Sequence, residues 1–199
     1  KSISGVLNTN DTIPILDCFL FEIQQAELTV TASDMETSVR TSVQVESTDN
    51  GILAIPAKTL LDTLSNLPEQ PVTFKTEAGK FSVKLKTQNG DYQITGHNGE
   101  EYPRMPKVDG AQTLLLKSEI LSGAISKTLF ATGNDDLRPV MSGVFCQFSE
   151  DHSIFVATDA HKLVRYTRHD ARAGMSAAFI MPKKPLQLLR GLLTGLDDA

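Results

Sequence analysis

The chain has 199 residues, 40% hydrophobic and 22% charged, the make-up of a folded globular protein and not of a disordered one. No apolar run reaches the roughly 18 residues of a membrane-spanning helix, and two cysteines, Cys18 and Cys146, are too few for a disulfide framework or an all-cysteine zinc site. The net charge of −5 is unevenly divided: residues 1–105 hold 8 Lys/Arg against 14 Asp/Glu, and residues 106–199 hold 11 against 10, so nucleic acid would meet a local basic stripe on an acidic body and not a bulk positive field.

The chain opens Lys1-Ser2-Ile3-Ser4, without the charged, apolar and small-residue zones of a secretory leader. With so few cysteines this fits a reducing compartment. Ile13-Pro14-Ile15 leads into β-like sequence that runs to Arg40. Ile55-Pro56-Ala57-Lys58 predicts a helix starting at Pro56, because proline is tolerated at the first helical position, and it carries Leu60, Leu61, Leu64 and Leu67. Val72–Lys75, Phe81–Lys86 and Tyr92–Thr95 alternate in the period of a half-buried strand, with Glu77-Ala78-Gly79-Lys80 and Asn89-Gly90 as hairpin turns.

Residues 101–112, with Tyr102-Pro103, Met105-Pro106 and Asp109-Gly110, read as a turn-rich linker. Thr113–Lys117 is a further β-like run. Ser118 is the expected N-cap of a helix with Ile120, Leu121, Ala124 and Ile125 on one face. Strands are then expected at Gly143–Phe148, Ser153–Thr158, Lys162–Tyr166 and Ala177–Met181, and a last helix from Pro182.

These elements repeat. Ile13 through Arg40 lies over Arg138 through Arg165 without a gap at an offset of 125, matching Pro14 with Pro139, Ala32 with Ala157, Asp34 with Asp159 and Arg40 with Arg165. Ile55-Pro56-Ala57-Lys58 meets Met181-Pro182-Lys183-Lys184 at an offset of 126. A matched series with one residue of drift points to duplication. The repeated unit is an α+β domain, a mainly antiparallel sheet with two helices on one face. The expected division is a first domain at 1–105, a linker at 106–112 and a second domain at 113–199. Copy one starts without the strand and helix that open copy two, and copy two stops before the hairpins that close copy one. Both copies are therefore expected to be truncated, the chain being roughly 1.6 repeats of a longer protein.

Catalytic signals are sparse. The four histidines, His97, His152, His161 and His169, form no helical metal-ligand pair, and no phosphate loop, nucleophile elbow or dinucleotide fingerprint is present. No cofactor or metal is expected. Asp159 with His161 is the best catalytic pairing, as part of a hydrolase or transferase. The competing reading is a turn, since an aspartate side chain bonds nearby backbone N–H groups and Asp34 recurs at the equivalent place in copy one. On the last helix Lys183, Gln187 and Arg190 share one face, away from Leu186, Leu189 and Leu193. That face is either a solvated one or a stripe for phosphates, bound without reading bases. The absence of Trp and of interleaved aromatics argues against single-strand recognition. Around the copy-two turn, Met141 and Leu163 are each read either as plain core or, beside small polar groups, as a seat for the anchor side chains of a short peptide.

Ile13-Pro14-Ile15-Leu16, Thr31-Ala32-Ser33-Asp34-Met35-Glu36 and Ile55-Pro56-Ala57-Lys58 together resemble the first domain of the bacterial sliding clamp family, the beta subunits of DNA polymerase III. Tyr102-Pro103 resembles that domain's closing segment. Val156 through Leu163 resembles the family's stretch Thr-Asp-Gly-His-Arg-Leu, and Met181-Pro182-Lys183-Lys184 its Val-Pro-Arg-Lys helix start. The resemblance implies tandem DNA-clamp domains from a three-domain chain, two of which close head to tail as a ring around duplex DNA. It implies a cytoplasmic, non-catalytic processivity factor that tethers the replicative polymerase. The implied partners are the polymerase III catalytic subunit, the clamp loader and repair polymerases, bound through linear motifs.

By the same resemblance, Met141, Thr158, Ala160, His161, Lys162 and Leu163 form one wall of the peptide pocket. Lys58, Arg138, Lys183, Lys184 and Arg190 face DNA, with Asn10 near it and the acidic Asp135 and Asp136 beside Arg138. Ala160 and Lys162 depart from the family's Gly and Arg. The first implies a turn that does not need positive φ; the second keeps the charge but loses planar, bidentate hydrogen bonding. Without a third domain the chain is expected to be a monomer at micromolar concentration. A peptide-binding scaffold that never surrounds DNA is the remaining alternative.

Overall fold

The computed structural model describes residues 3–7, 13–47, 49–77, 79–105, 110, 113–135 and 137–193. Asn10, Asp136 and most of the expected linker lie outside them. The chain divides into two compact units, Lys1–Lys107 and Val108–Ala199.

In the first unit, a short 3-10 turn at Pro14–Asp17 leads into β1 (Cys18–Gln24), followed by β2 (Glu27–Ser33), β3 (Ser38–Gln44) and β4 (Gly51–Pro56). Helix α1 (Ala57–Ser65) follows directly, then β5 (Thr73–Thr76), β6 (Ser82–Thr87), β7 (Gly90–Thr95) and the two-residue β8 (His97–Asn98). The strands form a sheet of order β3-β2-β1-β4-β8 and a three-stranded sheet β5-β6-β7, antiparallel throughout. The expected hairpins are present, with Gly79 at φ 77° in the first turn, where only glycine enters the left-handed region without steric cost. The segment after β8 is pinned through buried Tyr102. Ser33 N–H donates to Tyr102 Oη at 3.0 Å, and that hydroxyl donates to the Cys18 carbonyl at 3.3 Å. Burial pushes the phenol up to about 12.

The second unit contains α2 (Ser118–Thr128), β9 (Gly143–Phe148), β10 (Ser153–Thr158), β11 (Leu163–Arg168), β12 (Ala177–Pro182) and α3 (Lys183–Leu193). Its sheet has the order β11-β10-β9-β12. Strand alternation sends Val144, Cys146 and Phe148 of β9, with Phe155 and Ala157 of β10, to one face. That face is covered by both helices: Ala124 and Ile125 of α2 and Leu186 of α3 belong to the same buried cluster. Each large apolar side chain removed from water there contributes about 1.5–3 kcal/mol.

The duplication is visible in the ladders. Leu20 faces Thr31 and Thr31 faces Arg40 in the first unit; Phe145 faces Val156 and Val156 faces Arg165 in the second, each shifted by 125. Leu20 faces Ala54, whereas Phe145 faces Ile180, so the last strand is shifted by 126. The extra residue therefore falls in the connection between the third and fourth strands of the unit.

Three expectations at element boundaries are corrected. Pro56 is the N-cap of α1 and Pro182 the last residue of β12, so neither is the first helical residue. A proline at that junction ends the ladder without leaving a strand N–H unpaired. Ser118 is the first residue of α2 and Lys117 is its N-cap. Thr113–Lys117 alternates as a strand should, with Leu114 and Leu116 packed against the core and Leu115 88% exposed, but it joins no ladder. An extended segment becomes a strand only beside a partner, and no partner lies among the described residues.

Cys18 and Cys146 are both about 1% exposed, and burial pushes each thiol up to about 11. A thiol so placed carries almost no thiolate at neutral pH. We expect an aromatic disulfide reagent at pH 7.5 to leave both unmodified in the folded chain and to titrate both in denaturant. Rapid native labelling of either would contradict this packing. None of the described helices is long and apolar enough to cross a membrane.

Candidate functional site

The Thr158–Leu163 segment turns β10 into β11 around the Asp159 side chain. Asp159 Oδ1 accepts the N–H groups of His161 at 3.0 Å and Lys162 at 2.9 Å, and Oδ2 pairs with the Lys162 ammonium. Those bonds, the ammonium's first, hold the carboxyl far below the usual carboxylate range. Thr158 Oγ1 donates to the Lys162 carbonyl at 2.7 Å and accepts the Ala160 N–H at 3.1 Å. The first unit builds the same turn. Asp34 Oδ1 accepts the N–H groups of Glu36 and Thr37 at 3.0 and 2.6 Å, and Ser33 Oγ accepts the Met35 N–H at 3.2 Å.

The expectation that alanine at position 160 spares the turn a positive φ is wrong. Ala160 has φ 75°, and so does its counterpart Met35. An aspartate oxygen can also collect two successive N–H groups with the next residue right-handed, as at a helix N-cap. Here, in both units, the hydroxyl of the residue before the aspartate in addition accepts the N–H of the left-handed residue itself. The same set of bonds accompanies the same left-handed conformation whether the side chain there is alanine or methionine. For an L-residue the left-handed region costs about 1–2 kcal/mol, against about 0.5–1 kcal/mol of extra chain entropy lost on folding with glycine. Ala160→Gly is therefore expected to raise stability by about 0.5–1 kcal/mol, measured by urea unfolding. A loss of stability would show that the turn is unstrained.

The six pocket-wall candidates fall together in part. Thr158, Ala160, His161, Lys162 and Leu163 share the turn, with Ala160, His161 and Lys162 exposed and Leu163 67% exposed at the start of β11. Met141 reaches them through the preceding loop. Gly133 N–H donates to the Met141 carbonyl at 2.8 Å, and a Cβ built on Gly133 would lie 3.6 Å from Met141 Cβ and 3.7 Å from Asp159 Cα. Gly133 thus lies between Met141 and the Asp159 turn, within ordinary contact distance of both. Leu137 and Val140, on the same loop as Met141, are also highly exposed. Sequence reasoning passed over both, although two apolar residues flanking Arg138-Pro139 in a polar loop were a visible signal.

The five cationic candidates are placed less uniformly. Lys58 is exposed in the first turn of α1. On α3, Gln187 and Arg190 are exposed while Leu186 is buried and Leu189 and Leu193 pack on the core, so the expected two faces are realised. Lys183 donates from its ammonium to Asn134 Oδ1 at 2.6 Å, and its N–H to the Ser142 carbonyl at 3.0 Å. The start of α3 is thus fastened at both points to the loop that carries Met141. Lys184 is half-buried beside it. Arg138 is the weakest candidate, because its Nε donates to Asp135 Oδ2 at 2.7 Å and that pair cancels its charge.

The Asp159–His161 pairing does not form a catalytic dyad. The carboxylate is engaged by backbone N–H groups and by Lys162, while His161 Nδ1 lies 3.3 Å from the Asp159 carbonyl and the ring is exposed. Among the described residues, no group of three or more His, Cys, Asp or Glu is placed to hold a metal ion. What this edge offers is a rigid polar turn beside exposed apolar side chains, which suits docking of an extended peptide.

Known proteins agree with this architecture in order and extent. Residues 1–106 match the N-terminal domain of the DNA polymerase III beta subunit, and residues 115–199 match its central domain. The chain is 30% identical over 177 residues to the beta sliding clamp of Synechococcus elongatus, covering 86% of this chain and 47% of that protein. It is 24% identical to that of Staphylococcus epidermidis, over 96% of this chain and 53% of the other. The chain spans about half the length of the curated relatives it matches. Among solved structures, the DNA polymerase beta subunit of Streptococcus pyogenes superposes with a TM-score of 0.88 at 24% identity, over 96% of this chain and 52% of that one. The DnaN sliding clamp of Bartonella birtlesii bound to griselimycin gives 0.87 at 22%, over 98% and 53%.

Proposed function

Because the chain belongs to the DNA polymerase III beta subunit family, we propose that it supplies two domains of a sliding clamp. This is a non-catalytic, cytoplasmic ring component that encircles duplex DNA and tethers the replicative polymerase for processive synthesis. The observation that carries the reading is the pair of consecutive domain matches, N-terminal then central, on two units with the same strand register. Residues 1–105 act as the first clamp domain, 106–112 as the linker and 113–199 as the second domain.

Partners dock through short linear motifs on Met141, Thr158, Ala160, His161, Lys162 and Leu163. The turn holds its polar groups in internal bonds, so an incoming peptide gains contact mainly from the exposed apolar side chains. Lys58, Lys183, Lys184 and Arg190 meet phosphates, with Arg138 released only if Asp135 gives it up. A few such contacts on a chain of net charge −5 favour weak, sequence-independent attraction that permits sliding. An acidic protein that held DNA tightly would defeat the purpose.

Griselimycin, which is bound in the Bartonella birtlesii clamp structure, tests the docking surface. Added to the isotopically labelled chain, it is expected to shift the amide resonances of Met141 and Thr158–Leu163. Leu163→Asp is expected to remove that response without changing the rest of the spectrum. Shifts confined to other regions, or an unchanged response in the variant, would refute the assignment. For the DNA-facing set, duplex affinity should fall about linearly on logarithmic axes with salt, with a slope near −0.9 per phosphate contacted. Replacing Lys183, Lys184 and Arg190 by glutamine should make that slope shallower, and an unchanged slope would exclude the stripe.

A further inference from the structure

We propose that His152 and His169 form a two-imidazole site for a divalent transition-metal ion at the open end of the β10–β11 hairpin, the end away from the Asp159 turn. The ladder between these strands ends with Ser153 opposite Arg168, so His152 and His169 occupy the next facing positions. Facing residues on antiparallel strands hold their Cβ atoms about 4.5–5.5 Å apart, and here the ring centroids are 5.8 Å apart with planes inclined at 43°. Two imidazoles bound to one tetrahedral ion, each through a nitrogen about 2.0–2.1 Å from the metal, place their ring centroids about 5–6 Å apart. The two rings already stand at that separation.

Hydrogen bonding holds the backbone of one of the two residues. Ser149 Oγ donates its hydrogen to the His152 carbonyl at 2.7 Å and accepts the His152 N–H at 3.2 Å. It remains able to accept a second bond, and His152 Nδ1 lies 3.5 Å from it. That contact is open to the tautomer with the proton on Nδ1 and the lone pair on Nε2, the arrangement by which an outer partner fixes a metal-binding histidine. His169 is exposed and half-buried His152 reaches solvent, so an ion has access. The nearby Asp170 carboxylate is held by Arg168 at 2.6 and 2.7 Å, so water completes the coordination. Imidazole donors favour zinc, copper and nickel over calcium or magnesium.

The test is a titration of the chain with Zn²⁺ alone, followed by calorimetry and by the imidazole resonances of all four histidines. One ion should bind, shifting His152 and His169 together while His97 and His161 serve as internal controls. Because two tethered ligands act as one chelate, His152→Gln or His169→Gln should weaken binding about 100-fold. The ion should also raise the unfolding temperature, an increment absent in both variants. Both side chains reach solvent, and circular dichroism would verify that the variants fold. Equal, weak shifts at all four histidines, or a loss below tenfold in either variant, would overturn the site.

Discussion

Phe155→Ala is expected to remove about 3–5 kcal/mol from the stability of the Val108–Ala199 unit, enough to bring a typical domain close to unfolding. Phe155 is 2% exposed at the centre of β10. It meets Phe148 edge to face at 5.9 Å and Tyr166 at 6.5 Å. It also belongs to the buried cluster that joins the sheet to α2 and α3. Truncation removes the transfer free energy of the ring and leaves a cavity that two helices and a sheet cannot jointly collapse. Urea unfolding measures the loss, and hydrogen exchange of the β9 and β10 amides locates it. A change below about 1 kcal/mol would mean that the cluster is far looser than its burial indicates.

Gly143→Ala is expected to cost about 3 kcal/mol for a different reason: overpacking against backbone. A Cβ at this position would lie 2.6 Å from the Met181 carbonyl oxygen, 2.7 Å from Ile180 Cγ2 and 3.2 Å from the Met181 carbonyl carbon. The isoleucine could turn aside, but the carbonyl is part of the β9–β12 ladder, in which Gly143 faces Pro182. Relief therefore requires the strands to separate at the point where Ser142 accepts the Lys183 N–H. The variant should lose stability and, in the same measurement series, show displaced resonances at Met141 and Lys183. Stability within 0.5 kcal/mol of the parent would show that β12 yields freely there.

Much of this structure is legible from residue order. Strict alternation located β6 and β7, and β9 and β10 fall at the residues expected for them, because a half-buried strand must alternate. Asp34 and Asp159 announced their turns, since a short carboxylate is the side chain that gathers successive N–H groups. The failures share a cause. Ala160 looked exempt from positive φ because residue identity was weighed alone, whereas Met35 of the first unit, in the same set of aspartate and hydroxyl bonds, is left-handed too. Thr113–Lys117 carries the pattern of a strand, but a ladder is a property of two segments and one cannot announce the other. Arg138 and Lys183 look alike as cations in sequence. Only their neighbours, Asp135 for one and Asn134 for the other, distinguish a cancelled charge from a positioned one.

The single residue by which the two units differ in spacing marks where the chain tolerates a change of length. In the second unit that connection runs from β11 to β12, and its inner part is fixed: Ser153 Oγ donates to the Ala171 carbonyl at 2.6 Å and Ala173 N–H to the Ser149 carbonyl at 2.9 Å. Beyond it, a side chain at Gly174 would meet open space. A short flexible insert after Gly174 should leave every ladder pair in place, since lengthening an exposed loop adds only slowly to closure entropy. One residue added inside β10 would send Phe155 and Ala157 to the opposite face. Gly174 is thus the natural point at which to splice a fluorophore or affinity tag into this chain.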